Sequence, residues 1–343
     1  MSATPRTRRV AVGLVIAGLL ALLAISLWQT AGRARLRAFV RAPVGIMGTS
    51  CQLVAVAAPA RRDDAERALA AAEATLRRLE ALMSTWIDAS EISRLNRAEA
   101  GTFVPLSPDV VEVLRAAREA YEATGGAFDA TCRPLIELWR AAGEQGRLPD
   151  EDEIRRAREA SGWDDFELRD DGALKRRTTA RVDLGGIAKG YAIDRALDAM
   201  RDAGVAGGLV DVGGDLHAFG QDPTGQGFAV DIRHPRRPGV FRSLHVAGDG
   251  AVCTSGDYAR WVEIDGRRYG HVIDPRTGRP AASAASVTVV AADALTADVW
   301  ATTLTVLGPA GLDDLPEGVE ALVLVPDRGD PERMHVHASD GFP

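Results

Sequence analysis

The order in which helical and strand-like patterns follow one another constrains the fold of this chain most strongly. A strand-like stretch, Gly45–Ala57, comes first. Leucines then recur at helical spacing over Asp63–Met83, and a second helix is predicted over Val110–Ala123. The second half instead combines Gly-rich turns with strand-like runs, including Gly207–Val212 and Ser286–Val290. Helices and strands do not alternate regularly as βαβ units require, so the sequence predicts an α+β fold rather than a doubly wound parallel sheet.

The N-terminus carries an apolar run long enough to cross a bilayer. Val10–Trp28 contains one polar residue, Ser26, and its 19 residues would form a helix of about 28 Å. Arginines flank the run on both sides, so the positive-inside rule does not fix its orientation. No clear cleavage site follows it. We therefore expect residues 1–28 to form an uncleaved transmembrane anchor and residues 29–44 to form a basic linker.

Charge and cysteine content argue against several classes of protein. The formal net charge is −7, and because residues 1–41 carry seven arginines and no acidic residue, the rest of the chain stands at −14. Nucleic acid is therefore a poor partner, since its binding depends on neutralising phosphates. A nucleotide ligand would need Mg²⁺ to screen it from the carboxylates. The three cysteines form no CxxC pair, which disfavours zinc and thioredoxin-like sites and leaves one disulfide with a spare thiol open.

A glycine-rich turn between a predicted strand and a predicted helix is the first candidate site. The strand is expected at Ala180–Asp183 and the helix at Ala188–Met200, with a Gly-Gly pair between them. Helix N-termini offer free N–H groups to phosphate, although a tight turn without a ligand has the same pattern. Only two of the 41 basic residues are lysines, and Lys189 lies in this turn, which indicates that a compact ammonium group is needed there.

Three further segments bring chemistry-bearing residues together. Asp298 and Thr302 are four residues apart on a predicted helix, so their oxygens share one face and suit Mg²⁺, although a packed Thr beside an exposed Asp gives the same spacing. The stretches 253–258 and 269–278 place His271 and two aspartates beside Pro and Gly turns. Residues 213–215, a Gly-Gly-Asp turn, allow another close approach between strands.

These segments resemble the ApbE family of FAD:protein FMN transferases over roughly residues 45–310. The matching motifs occur in the family's order, and they are Met47–Thr49, Met83–Trp86, Ser90–Asn96, Thr124–Asp129, Asp183–Gly190, Gly213–Asp215, Thr254–Tyr258, His271–Gly278 and Ala297–Thr302. The resemblance implies a mixed or antiparallel sheet core with flanking helices in a domain spanning residues 45–325. We expect the polar segment 326–343 that follows to be partly loose.

The resemblance also implies a set of site residues. Mg²⁺ would bind the carbonyl oxygen of Ala188 and the side chains of Asp298 and Thr302. FAD would be held by residues from the motifs above, namely Met47, Trp86, Ala127, Phe128, Asp129, Asp183, Lys189, Gly213, Gly214, Ser255, Gly256, Asp257 and His271. Tyr is common in the family where this chain has Trp86, which keeps a stacking surface and loses the phenolic hydroxyl.

The implied reaction transfers FMN from FAD to a Thr or Ser hydroxyl of an acceptor protein and releases AMP. Lys189 would act with Mg²⁺ on the phosphates, and His271 would accept the hydroxyl proton, with Asp257 and Asp274 as alternatives. The same groups would serve an FAD pyrophosphatase that gives free FMN and AMP, and a flavin-binding protein without catalysis is a third reading. The resemblance implies a membrane redox subunit or FMN-binding domain as acceptor, and a catalytic domain on the periplasmic side of the cytoplasmic membrane.

Overall fold

The structure is a computed structural model, and it describes residues 36–257, 261–327, 329–330 and 332–343. Within those ranges no helix combines the length and the hydropathy that a membrane span requires. The predicted anchor, Val10–Trp28, lies outside the described residues, as does Tyr258 of the Thr254–Tyr258 motif.

An eight-stranded sheet, antiparallel throughout, forms the centre of the fold. Its strands are, in spatial order, β1 (Arg37–Arg41), β2 (Cys51–Ala57), β6 (Gly207–Val212), β7 (Asp215–Gly220), β10 (Gly248–Gly256), β15 (Ser286–Ala291), β16 (Glu320–Pro326) and β17 (Met334–Ala338). Successive side chains along each strand lie on opposite faces of the sheet, as the two-residue period of a β-strand requires. In β2, for example, Leu53 and Ala55 lie in the larger core and Val56 lies in the smaller one.

Helices cover one face of this sheet. The described helices are α1 (Arg62–Met83), α2 (Glu91–Arg97), α3 (Pro108–Ala123), α4 (Arg133–Gln145), α5 (Glu151–Glu159), α6 (Ala188–Asp202) and α7 (Ala294–Leu307), with short 3₁₀ turns at Pro59–Arg61, Trp163–Asp165 and Gly308–Asp314. Helices α1, α6 and α7 pack on the sheet and build the larger core. A three-stranded sheet joins this side in the order β3 (Thr102–Pro105), β5 (Gly172–Lys175) and β4 (Phe166–Arg169).

Small hairpins complete the described structure. The hairpin β8 (Phe228–Arg233) and β9 (Val240–Val246) covers the other face of the central sheet. A side lobe combines α4 and α5 with the pair β11 (Trp261–Ile264) and β12 (Arg267–Gly270) and with the pair β13 (Ile273–Asp274) and β14 (Arg279–Pro280). In that lobe the indole N–H of Trp139 on α4 donates to the carbonyl of Gly278 at 2.8 Å.

The predicted α+β class with an antiparallel sheet is confirmed, and two predicted strands need correction. Ala180–Asp183 is extended but not a strand, because the side chain of Asn96 takes both backbone hydrogen bonds of Val182 (2.8 Å each). Strand pairing in the predicted run Gly45–Ala57 begins only at Cys51. The turn before it contains Gly45, Met47 and Gly48, all with positive φ, which strand geometry does not allow.

The central sheet extends past both predicted domain boundaries. Strand β1 lies within the predicted linker 29–44, and β17 lies within the C-terminal segment 326–343, which was expected to be partly loose.

The three cysteines, Cys51, Cys132 and Cys253, are buried and unpaired, so the disulfide left open by the sequence is not present.

Candidate active site

The turn that leads into α6 is positioned from three sides. Asn96 holds Val182, as described above, and the N–H of Asp183 donates to the carbonyl of Ala130 at 2.7 Å. The side chain of Asp183 folds over its own turn: Oδ1 accepts the Gly185 N–H at 2.9 Å, and Oδ2 accepts from Arg133 Nη1 at 2.7 Å. The carboxylate of Asp183 therefore shapes the turn and is paired with an arginine.

Lys189 lies in the first turn of α6 between two buried carboxylates. Its Nζ forms an ion pair with Asp215 and is 3.6 Å from Asp298 Oδ1. The side chains of Asp215 and Asp298 are each 3% exposed, whereas that of Lys189 is 31% exposed. Oδ2 of Asp298 accepts the N–H of Gly190 at 3.1 Å. One lysine thus faces two buried acids at a helix N-terminus and keeps part of its side chain in solvent.

The hydroxyl of Thr302 faces the glycine turn. A Cβ atom at Gly186 would lie 2.9 Å from Thr302 Oγ1 and 3.2 Å from the Phe128 ring, so glycine is required for this close approach. Thr303 and Thr305 on the same helix donate their hydroxyls to carbonyl oxygens one turn back, at 2.8 Å each. Among the described residues, Thr302 makes no such bond, and its oxygen is available to a ligand.

Asp215, the last residue of the Gly-Gly-Asp turn, links Lys189 to strand β10. Its Oδ1 accepts the N–H of Thr254 at 2.8 Å, which places the β10 end with Ser255 and Gly256 beside the carboxylates. Gly213 has φ +73°, and its Cβ position lies 2.7 Å from Thr49 Oγ1, so residues 213–214 touch the turn that contains Met47. Met47 has φ +48°, and its N–H donates to Glu80 Oε1 at 2.8 Å.

The segment before α4 contributes a buried phenylalanine and a carboxyl group. Ala127 and Phe128 are buried, and the N–H of Phe128 donates to Thr124 Oγ1 at 3.0 Å. Asp129 accepts the N–H and the hydroxyl of Thr131 at 2.8 and 2.7 Å. Burial raises the pKa of Asp129 and outweighs these two bonds, which lower it. This carboxyl is therefore easier to protonate than an exposed aspartate.

Trp86 is the most exposed aromatic side chain with a predicted contact to FAD. It is 78% exposed, and the guanidinium group of Arg140 on α4 lies 5.4 Å from its ring centroid. An exposed indole offers a flat apolar face for stacking. The structure places it beside α4.

The three candidate bases differ in their surroundings. Asp257 forms a bidentate ion pair with Arg236, at 2.6 and 2.5 Å, and Asp274 is bound to Arg276 through three bonds of 2.9–3.0 Å. Both aspartates are therefore paired with guanidinium groups. His271 is exposed and follows Gly270, whose Cβ position lies 3.9 Å from that of Asp257, so it is adjacent to the end of β10.

The oxygen donors around Asp298 fit a hard divalent cation. The predicted ligands are one carboxylate, one hydroxyl and one backbone carbonyl, and Ala188 is the first residue of α6, two residues before the glycine that binds Asp298. Within the described ranges no group of three or more His, Cys, Asp or Glu side chains could hold a metal by itself. A site with few protein ligands is typical of Mg²⁺, which keeps waters and shares substrate phosphates.

Sequence reasoning missed several residues that build the site. Asp215 occurs in a motif that was recognised, and its position directly after two glycines was the available signal. Asn96 also lies in a recognised motif, but nothing local indicates that its amide reaches residue 182. Arg133, Arg236 and Glu80 reach the site from other elements, so only the fold shows their roles.

The fold and the site define an α+β protein that presents a lysine, buried carboxylates and a helix N-terminus, a set of groups suited to a phosphate-bearing ligand. The ApbE family matches residues 47–323. An FAD:protein FMN transferase of Klebsiella pneumoniae strain 342 is 34% identical over 254 residues, covering 71% of this chain and 72% of that protein. The FAD:protein FMN transferase of Treponema pallidum strain Nichols is 31% identical over 332 residues, 91% of each.

Solved structures of ApbE proteins are also similar to this chain in fold and in sequence. The apo form of the Pseudomonas stutzeri flavinyl transferase ApbE has a TM-score of 0.76 and 31% identity, over 89% of this chain and 95% of that one. The ApbE protein of Thermotoga maritima has a TM-score of 0.78 and 30% identity, over 89% and 97%. The chain belongs to the ApbE family, and the sequence prediction that it is a flavin transferase is confirmed.

Proposed function

We propose that this flavin transferase uses Mg²⁺ to move FMN from FAD to a Thr or Ser hydroxyl of an acceptor protein. The hydroxyl oxygen forms a bond to the flavin-side phosphorus of FAD, the bond from that phosphorus to the bridging oxygen breaks, and AMP leaves. One observation carries the proposal: a buried Asp298 lies beside Lys189 and the α6 N-terminus, with the Thr302 hydroxyl facing the glycine turn.

The chain's own residues bind and orient the diphosphate. Lys189 supplies a positive charge, and the Gly185–Gly186 turn before α6 allows the backbone to approach the diphosphate closely. A divalent cation held by Ala188, Asp298 and Thr302 would offset the charge that gathers on the phosphates. Phosphoryl transfer depends mainly on such positioning and charge neutralisation.

His271 is the proposed acceptor of the hydroxyl proton. Asp257 and Asp274 are held by arginines, whose guanidinium groups occupy both oxygens of each carboxylate. His271 lies next to the end of β10, and an imidazole accepts a proton near neutral pH. We expect His271→Ala to lower the rate of transfer about a hundredfold. Exposed His337 on β17 gives the matched control, and equal rates for His271→Ala and His337→Ala would contradict the assignment.

The metal site is tested by labelling an acceptor domain with FAD. FMN on the acceptor is read by fluorescence in a denaturing gel and by intact mass, with Mg²⁺ or with a chelator. The proposal predicts a labelled band that needs both Mg²⁺ and Asp298, so the Asp298→Ala protein and the chelated sample are both inactive. Labelling that persists in either sample would exclude the proposed metal site and leave the family assignment untouched.

We also propose that the N-terminal apolar run tethers the enzyme to the cytoplasmic membrane with its catalytic domain outside the cytoplasm. Tethering would raise the effective concentration of an acceptor in the same membrane, such as a redox subunit. Cell fractionation with added protease tests this. The proposal predicts a membrane-bound protein that is digested in spheroplasts, and protection from protease would contradict the orientation.

A further inference from the structure

His217 is a buried histidine that contacts two carboxylates. It lies on β7, two residues after Asp215 and on the same face of the sheet, with 6% of its surface exposed. Nδ1 is 2.6 Å from Asp194 Oδ1, and Nε2 is 2.9 Å from Asp249 Oδ1. Ionised carboxylates only accept hydrogen bonds, and a neutral imidazole has one donor, so both contacts require the doubly protonated ring. Burial opposes this charge, but the two carboxylates outweigh it and raise the pKa of His217.

Asp194, the first partner of His217, caps a different helix. It lies on α6, and its two oxygens accept the first N–H groups of α7: Ala294 N at 2.8 Å and Leu295 N at 2.9 Å. These donors have no partner within their own helix. Asp298 follows Ala294 by one helical turn and Thr302 by two. The carboxylate of Asp194 therefore fixes the end of the helix that carries both side-chain metal ligands.

Helices α6 and α7 touch at this point with no space between their backbones. A Cβ atom at Gly190 would lie 2.2 Å from the carbonyl oxygen of Ala294, and the Gly190 N–H binds Asp298. Strand β7 contacts α6 twice, through Asp215 with Lys189 and through His217 with Asp194. The contact of His217 with Asp194 supports the α7 cap from the side of the sheet. Arg201 binds Asp249, the other partner of His217, at 2.6 Å.

We propose that His217 is a positioning residue for the metal site. Its charged ring orients Asp194, Asp194 fixes the α7 N-terminus against α6, and this contact sets the position of Asp298 and Thr302 relative to the carbonyl of Ala188. The inference rests on the proposed function, because it concerns the cation that those three residues would bind. The contacts from His217 through Asp194 to α7 connect the sheet to the metal site, and they involve neither FAD nor the acceptor.

Two substitutions separate this role from simple structural support. In His217→Asn the side-chain amide nitrogen takes the place of Nδ1 and can still donate to Asp194, whereas in His217→Gln it takes the place of Nε2 and can donate only to Asp249. Mn²⁺ binding is measured by electron paramagnetic resonance with ADP present, FAD affinity is measured without metal, and thermal unfolding is recorded for both variants.

We expect His217→Gln to weaken Mn²⁺ binding about tenfold or more, and His217→Asn to stay within about threefold of the parent protein, with FAD affinity unchanged in both. Equal Mn²⁺ binding by the parent and His217→Gln, or equal losses in both variants, would overturn the inference. If the parent protein shows no Mn²⁺ binding that Asp298→Ala removes, the proposed metal site itself fails and the inference fails with it.

Discussion

Threonines on α7 differ in what their hydroxyl groups do. Thr305 donates to the carbonyl of Ala301 within its own helix, and Thr302 faces the Gly185–Gly186 turn. Thr302→Val should therefore lower kcat/KM about tenfold or more and leave stability almost unchanged, since it removes the hydroxyl that the proposed cation would bind. Thr305→Val, with the same change of shape, should keep full activity. Steady-state kinetics and thermal unfolding test the pair, and a similar loss of activity in both would contradict the assignment of Thr302.

Lys175, the other lysine of the chain, has no exposed surface, and its Nζ donates to the carbonyl of Asn96 at 2.7 Å. Burial lowers the pKa of Lys175 to about 8. Below that pH the folded protein therefore contains a buried, charged lysine, which lowers its stability. As pH rises from about 8 towards the unfolded value near 10.5, the unfolded chain binds more protons and stability increases. The gain is on the order of 3 kcal/mol.

Lys175→Met tests this prediction because it removes the titrating group and keeps most of the side-chain volume. Urea unfolding is measured for both proteins between pH 7 and pH 10. The free energy of unfolding of the parent protein should rise relative to that of Lys175→Met over this range. A constant difference between the two proteins would show that the pKa of Lys175 is the same in the folded and the unfolded state.

At the scale of single residues, the sequence indicated candidate site residues but not the ion pairs that they form. Lys189, Asp298 and Thr302 were identified from residue type, spacing and resemblance, and the structure brings Lys189 within 3.6 Å of Asp298. Asp215, which forms an ion pair with the same lysine, was recognised only as part of a turn. Ion pairs between residues far apart in sequence depend on the fold, so local patterns give no signal for them.

The crossing of α6 and α7 is the contact between elements on which the site depends most. Because a Cβ at Gly190 would meet backbone atoms, Gly190→Ala forces the two helices apart and should cost about 3 kcal/mol or more. Gly248→Ala is the control: it has φ +83° and open space around the Cβ position, so strain alone should cost about 1 kcal/mol. Chemical denaturation measures both, and equal costs would contradict the close helix contact.

At the scale of elements, hydrophobic periodicity predicted helices more reliably than strands. The helix expected at Asp63–Met83 is observed as Arg62–Met83, and the strand expected at Gly207–Val212 has those bounds. The strand expected at Ala180–Asp183 was wrong because its pattern fits any extended backbone. Whether such a segment joins a sheet depends on its neighbours, and here the neighbour is the amide of Asn96.

The C-terminal strand shows how the whole molecule closes its sheet. Strand β17 pairs with β16, and Phe342 beyond it packs with Leu322 and Leu324 in the smaller core. A chain ending at residue 332 would uncover these leucines and leave β16 as an open edge, which should lower the free energy of unfolding by about 3 kcal/mol. Urea unfolding compares it with the full chain, and an unchanged midpoint would mean that β17 contributes nothing to stability.

At the scale of the molecule, composition and pattern order predicted the α+β class, and the resemblance predicted the family. The ends of the domain were not predictable in this way. Arg37–Arg41 looks like a basic linker, and 334–338 lies within a largely polar segment, yet both are edge strands whose outer faces meet solvent. Edge strands tolerate charge, so a polar or basic stretch does not exclude a strand.

The most direct test of the proposed reaction measures AMP release and protein-bound FMN together over time. The full chain is incubated with FAD, Mg²⁺ and an acceptor domain that another member of the family labels in the same assay. One AMP should be released for each FMN bound to the acceptor, and both products should be absent in Asp298→Ala. AMP with free FMN and an unlabelled acceptor would instead show a pyrophosphatase, and tight FAD binding without AMP would show a flavin-binding protein.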